Sequence, residues 1–190
     1  MIQKSTDADR TQVMYTLLLG FSVDPIIRWL FPEPQEFLAN FPTLLQLFGG
    51  KAFENNAAYH TNGFVCGALW LPPNVHPDED GIVKLFEEKL DGTLLRDAFS
   101  MFEQMDKFHP EDPCWHLAFI AVDPAQTGNG YGSKMLEHTL KVCDADKKLA
   151  YLESTNPANL TLYHRHGFEL VGEIQSGSSP VLYPMRREPR

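Results

Sequence analysis

The sequence holds only three cysteines, Cys66, Cys114 and Cys143, far apart and odd in number. No Cys-x-x-Cys pair occurs, so neither a zinc ribbon nor a disulfide framework is supported, and reduced thiols in a cytoplasmic protein are expected. Cys143 reads as core filler. No apolar stretch approaches the ~20 residues that span a bilayer. The opening Met1-Ile2-Gln3-Lys4-Ser5-Thr6-Asp7 lacks the apolar region of a signal peptide. Neither a membrane nor export is therefore expected. Positive charge is scarce too: 16 Lys and Arg stand against 25 Asp and Glu, a net charge of −9. Without a basic footprint to offset phosphate repulsion, a nucleic-acid partner is excluded, while a cationic amine is favoured. His60, His76 and His109 show no metal-ligand spacing, so no metal is expected. A chain of 190 residues, 43% hydrophobic and 22% charged, suits one globular domain over residues 1–190.

One stretch organises the rest. Trp115 to Val122 is an apolar, aromatic and β-branched run of strand length. Asp123-Pro124 ends it, because proline cannot donate into a sheet ladder. Gly128, Gly130 and Gly132 then alternate around Asn129 and Tyr131. Tyr131, Met135, Leu136, Leu140 and Val142 follow at roughly helical spacing. Strand, glycine turn and helix form an anion-binding arrangement. Glycine lets backbone approach closely, and the first N–H groups of a helix have no internal acceptor and sit at the positive end of its dipole. The hydroxyls of Thr127 and Ser133 add donors.

A P-loop requires Gly-x-x-x-x-Gly-Lys-(Ser/Thr), and Ser133-Lys134 has the wrong order and spacing. A dinucleotide site requires Gly-x-Gly-x-x-Gly and an acidic residue ~20 positions on. Glu153 meets the second condition, but the glycine spacing differs and too little chain follows to complete a doubly wound sheet.

The run resembles motif A of the GNAT superfamily of N-acetyltransferases: a strand, (Gln/Arg)-x-x-Gly-x-(Gly/Ala), then a helix, here spanning 115–142. Gly130-Tyr131-Gly132 takes the Gly-x-Gly place. Thr127 stands at the Gln/Arg position and Asn129 where a basic residue is common, two departures that shift weight onto backbone N–H groups. Residues 150–168 resemble motif B, with Tyr151-Leu152-Glu153-Ser154-Thr155-Asn156 leading to Tyr163-His164-Arg165-His166-Gly167-Phe168. Tyr183-Pro184-Met185-Arg186-Arg187 resembles the closing strand. The Leu-Glu-Ser-Thr and Tyr-His-Arg-His-Gly-Phe stretches are most similar to the puromycin N-acetyltransferase-like branch. The resemblance implies an α/β (α+β) GNAT fold: a mixed, mostly antiparallel twisted sheet of about six to seven strands flanked by helices.

Before motif A, residues 2–6 read as a strand and 9–21 as a helix capped by Asp7 or Asp9. Pro25, Pro32 and Pro34 predict a loop. A helix over 35–48 contains Pro42, which predicts a kink or a start at 41, and Gly49-Gly50 is expected to stop it. Ala57–Thr61 and Phe64–Leu71 flank Asn62-Gly63, the signature of a two-residue hairpin turn. Helical patterns over 81–90 and 93–106 predict an insertion, whose position in the GNAT fold implies a place beside the acceptor cleft. Strands are expected at 149–154, 168–174 and 181–186, with a short helix over 156–165.

The resemblance implies acetyl transfer from acetyl-CoA to a primary amine of a small molecule, through a ternary complex, by a monomer or homodimer. Such chemistry needs an amine without its extra proton, a stabilised carbonyl oxygen and a protonated leaving thiolate. It implies that backbone at Ile120, Ala121 and Val122 serves the carbonyl and pantetheine. Thr127, Gly128, Asn129, Gly130, Tyr131, Gly132 and Ser133 then serve the pyrophosphate, and Asn159 also holds CoA. Tyr163 takes the acid position. His116, eleven positions before Thr127, is one candidate base; Glu153 is another, and relay by water a third. His164, Arg165 and His166 read as a solvated helix face. Two other classes stay open: a non-catalytic acyl-CoA-binding module, and a nicotinamide-dependent oxidoreductase using Glu153.

Overall fold

The computed structural model describes residues 1–190. Seven strands form one sheet in the order β1-β2-β3-β4-β5-β7-β6. They are β1 (Ile2–Lys4), β2 (Ala58–Thr61), β3 (Cys66–Leu71), β4 (Trp115–Val122), β5 (Ala150–Ser154), β6 (Glu169–Leu170) and β7 (Tyr183–Arg187). Every neighbouring pair is antiparallel except β4 and β5. The parallel doubly wound sheet that a nicotinamide site needs is therefore absent.

Two cores lie on opposite faces of the sheet. On one face, α1 (Arg10–Gly20), α2 (Pro25–Leu30), α3 (Pro34–Gly49), α5 (Glu79–Lys89) and α6 (Gly92–Phe108) bury Leu17, Ile27, Phe41, Phe86 and Met101 against Leu69 and Phe119. The short α4 (Lys51–Glu54) adds Phe53. On the other face, α7 (Tyr131–Ala145) and α8 (Leu160–Arg165) close over Trp70, Leu117, Leu136, Leu152 and Phe168. Cys143 is buried here, and burial pushes its thiol up to about 12, as expected of core filler.

Four local expectations are corrected. Residues 25–30 are helical: Pro25 occupies the first helical position, where its missing N–H is harmless, and Asp24 Oδ1 accepts from Ile26 N (3.0 Å) and Ile27 N (3.1 Å). The helix containing Pro42 is continuous from Pro34, because Pro42 lies on the exposed side, where the freed carbonyl meets water. α3 does end at Gly49-Gly50, as expected, but Gly50 is right-handed (φ −61°) and leads directly into α4, and any Cβ there would strike Gln46. The β2–β3 connection is wider than a two-residue turn. His60 pairs with Gly67, Cys66 N donates to Thr61 Oγ1 (2.9 Å), and Gly63 (φ 76°) and Phe64 (φ 55°) make the bend while Phe64 stacks on His60. The strand expected over 168–174 shrinks to Glu169–Leu170 and an isolated bridge at Ile174. Val171 N reaches Pro184 O (3.0 Å), but Pro184 has no N–H to return.

Candidate active site

The site grows from an irregularity in β4. Leu69 pairs with Phe119 and Trp70 with Leu117, so Ala118 is left over as a bulge. Ala118 and Phe119 consequently both face the larger core, while Leu117 and Ile120 face α7. On its other edge β4 meets β5 only at Trp115–Ala150 and His116–Tyr151. Beyond His116 the two strands part. Alternate backbone groups along 117–122 have no strand to bond to, and polar backbone of that kind requires a partner.

The glycine turn lies at the outer end of this opening. Gly128 (φ 82°) and Gly130 (φ 77°) are left-handed, a conformation that penalises a Cβ. Gly130 is the N-cap of α7, which begins with no side-chain cap, so its first N–H groups remain available. The neighbouring side chains are spent within the turn: Thr127 Oγ1 donates to Pro124 O (2.9 Å) and Asn129 Nδ2 to Gln126 O (3.1 Å). Ser133 Oγ lies 2.8 Å from His166 Nε2. His166 is thus half-buried and tied to α7 rather than solvated, and burial holds its pKa below the ordinary histidine value.

A cavity of about 290 Å³ fills the gap between β4 and β5. Ile120, Ala121, Val122, Thr127, Gly132 and Asn159 line it, and so do Glu153 and Tyr163. Gly128, Asn129, Gly130, Tyr131 and Ser133 form the turn just outside. Tyr163 is buried with its ring edge-on to Phe168 at 5.9 Å. Burial, and then the nearby Asp24 carboxylate, raise its pKa above the ordinary phenol value, so it keeps its proton across neutral pH.

His116 and Glu153 are brought together. His116 Nε2 lies 2.8 Å from Glu153 Oε2, and each side chain is 6% exposed. The His116 ring is packed by Phe48, His109 and Tyr151. His116 itself lines a second, larger cavity that Glu153 also reaches.

Asp24 is a site residue that sequence reasoning missed. Besides capping α2 it accepts a hydrogen bond from Thr155 Oγ1 and lines the first cavity. Burial raises its pKa, against the lowering effect of its hydrogen bonds. The signal was the pair Asp24-Pro25, an N-cap followed by proline at the first helical position. No group of His, Cys, Asp or Glu is arranged to hold a metal ion, and no helix is long and apolar enough to cross a membrane.

A mixed sheet opening at its single parallel pair onto an uncapped, glycine-led helix defines the GNAT fold. Residues 63–168 match the Acetyltransferase (GNAT) family. An uncharacterised N-acetyltransferase of Schizosaccharomyces pombe is 24% identical over 184 residues, 88% of this chain and 74% of its own. Among solved structures, a histone acetyltransferase HPA2 and related acetyltransferase from Corynebacterium glutamicum superposes with a TM-score of 0.70 at 26% identity, covering 100% of this chain and 96% of the other. The polyamine N-acetyltransferase of Drosophila melanogaster, which forms N-acetylagmatine, gives 0.66 at 14% identity with 99% of each chain covered, a likeness of fold. The chain belongs to the GNAT acetyltransferase family.

Proposed function

We propose that the protein moves the acetyl group of acetyl-CoA to the primary amine of a small molecule, by direct attack in a ternary complex. The observation that carries this is the convergence of Tyr163 and Glu153 on the opening between β4 and β5, with His116 bonded to Glu153 from behind. The residues fit a CoA donor. The unpaired backbone of Ile120, Ala121 and Val122 suits pantetheine amides, and the free N–H groups from Gly128 to Ser133 suit a pyrophosphate. Asn159 borders the same cavity.

Acetyl-CoA supplies an activated acyl carbon and a thiolate leaving group. The protein supplies the proton traffic and the stabilisation. Glu153 and His116 take the proton that an incoming ammonium must lose. Backbone N–H groups near Ile120–Val122 are donors for a developing oxyanion. Tyr163 Oη, which its raised pKa keeps protonated at neutral pH, gives its proton to the departing sulfur as the C–S bond breaks. The acceptor as a small molecule rests on the resemblance to puromycin-type enzymes and on relatives by fold that acetylate agmatine. Cytoplasmic placement agrees with three free cysteines.

A second reading, an acyl-CoA-binding module without turnover, is favoured by Thr127, whose hydroxyl is occupied by Pro124 O and which lacks the reach of Gln or Arg. Calorimetric titration with acetyl-CoA, alongside a free-thiol assay over a panel of amines, separates the two. The transferase reading expects binding that Gly130→Trp weakens, amine-dependent thiol release, and a loss of about 100-fold in kcat for Tyr163→Phe. Binding without thiol release from any amine would establish the second reading instead.

A further inference from the structure

The second cavity has a volume of about 720 Å³, within the ~300–1,000 Å³ usual for ligand sites. It adjoins the first: Phe48, Phe102, Met105 and Glu153 line both. Its inner end is the buried His116–Glu153 pair. Its walls include Phe86, Phe99 and Phe102, from α5 and α6. Its outer part carries Glu79, Glu103, Asp106 and Glu111, all solvent-accessible, and no lysine or arginine lines it.

Those four carboxylates are uncompensated. The salt bridges to Lys or Arg are Arg10–Asp7 and Arg187–Asp144, neither of which involves any of the four, and none of the four makes a side-chain hydrogen bond either. His109 does little to offset them: burial, and then His116, hold its pKa below the ordinary value, so it stays neutral. A pocket with apolar walls, one sign of charge and no counter-ion concentrates cations.

We infer that the acceptor is a dication: a diamine, or an amine with a guanidinium at its other end. Its reacting nitrogen sits at Glu153, its second charge lies among Glu79, Glu103, Asp106 and Glu111, and its alkyl spacer packs on the phenylalanines. This rests on the amine-acetylation reading above. Only one nitrogen is deprotonated for reaction, because only one end reaches the buried pair. The other stays charged in the acidic outer part, where hydration is retained and each pairing contributes modestly. Several such pairings, together with contacts to aromatic faces, give preference rather than absolute selection.

The test compares kcat/KM for butylamine, putrescine, agmatine and 2-phenylethylamine, at low and high ionic strength, in the wild type and in the triple variant Glu103→Gln, Asp106→Asn, Glu111→Gln. The three positions are exposed, and circular dichroism checks that the variant is folded. Putrescine and agmatine are expected to exceed butylamine by about tenfold or more. That ratio should shrink with salt and fall towards one in the triple variant. Equal use of butylamine and putrescine would overturn the inference, as would preference for 2-phenylethylamine or an equal loss for every amine in the variant; each of those leaves amine acetylation standing. Thiol release with no amine at all would overturn both.

Discussion

Asp24 meets three demands at once: it caps α2, accepts from Thr155, and places a negative charge near Tyr163. Asp24→Ala removes the cap and is expected to cost about 1–2 kcal/mol, measured by urea unfolding. Asp24→Asn keeps an oxygen for the cap and removes the buried charge. The sign follows from the raised pKa of Asp24. A carboxyl held above its unfolded value gives stability that is present at low pH and lost as pH rises through the folded pKa. Relative to the wild type, Asp24→Asn is therefore expected to fare better at pH ~7 than at pH ~4. For Tyr163 the raised pKa predicts no falling limb of the rate profile below pH ~10 from this group, checked by the pH profile of kcat against that of Tyr163→Phe. The position of Tyr163 was legible because a short helix before Gly-Phe is a local pattern. Asp24 was not, because Pro25 reads equally as a breaker or as a first helical residue until the fold decides.

Among the elements, β4, its glycine turn and α7 were the most legible, since alternation, proline and glycine act within a few residues of one another. The pairing lengths were not, because they depend on the partner strand: Pro184 truncates β6 from across the sheet. The contact between α1 and β4 was equally hidden. A Cβ on Gly20 would collide with the Ala121 side chain, so the C-terminal turn of α1 rests directly on the wall of the first cavity. Gly20→Val is expected to lower stability by about 1–3 kcal/mol. It should also weaken acetyl-CoA binding more than an exposed substitution such as Leu38→Val, with denaturation and calorimetry as the two readouts.

At the scale of the molecule, the second cavity was the least legible feature, because residues as far apart as Phe48 and Glu153 assemble it. The helices of 79–108 were legible as helices, but not as its walls. The C-terminal end of the chain is fastened across the fold by Asp144, whose oxygens accept from Arg187 Nη1 (2.7 Å), Arg187 Nη2 (3.0 Å) and Arg190 N (2.9 Å). Those bonds to Arg187 hold the Asp144 carboxyl below its ordinary 3.8. A depressed carboxylate pKa gives stability that is present above the unfolded value and lost as pH falls through the folded one. Asp144→Asn leaves Arg187, 5% exposed, short of a charge partner. It is expected to cost about 2 kcal/mol at neutral pH, with the gap to the wild type closing in acid as Asp144 is protonated, followed by urea midpoints.

The two rungs between β4 and β5 have a mechanical meaning. Residues 1–122 and 150–187 contribute two antiparallel arrays of strands, stitched to one another by the shortest ladder between long strands in the sheet. Under tension this is the seam along which the halves part, much as perforated paper tears along its line of holes. A molecule lying in the gap with its amides bonded to both edges would act as the missing stitches.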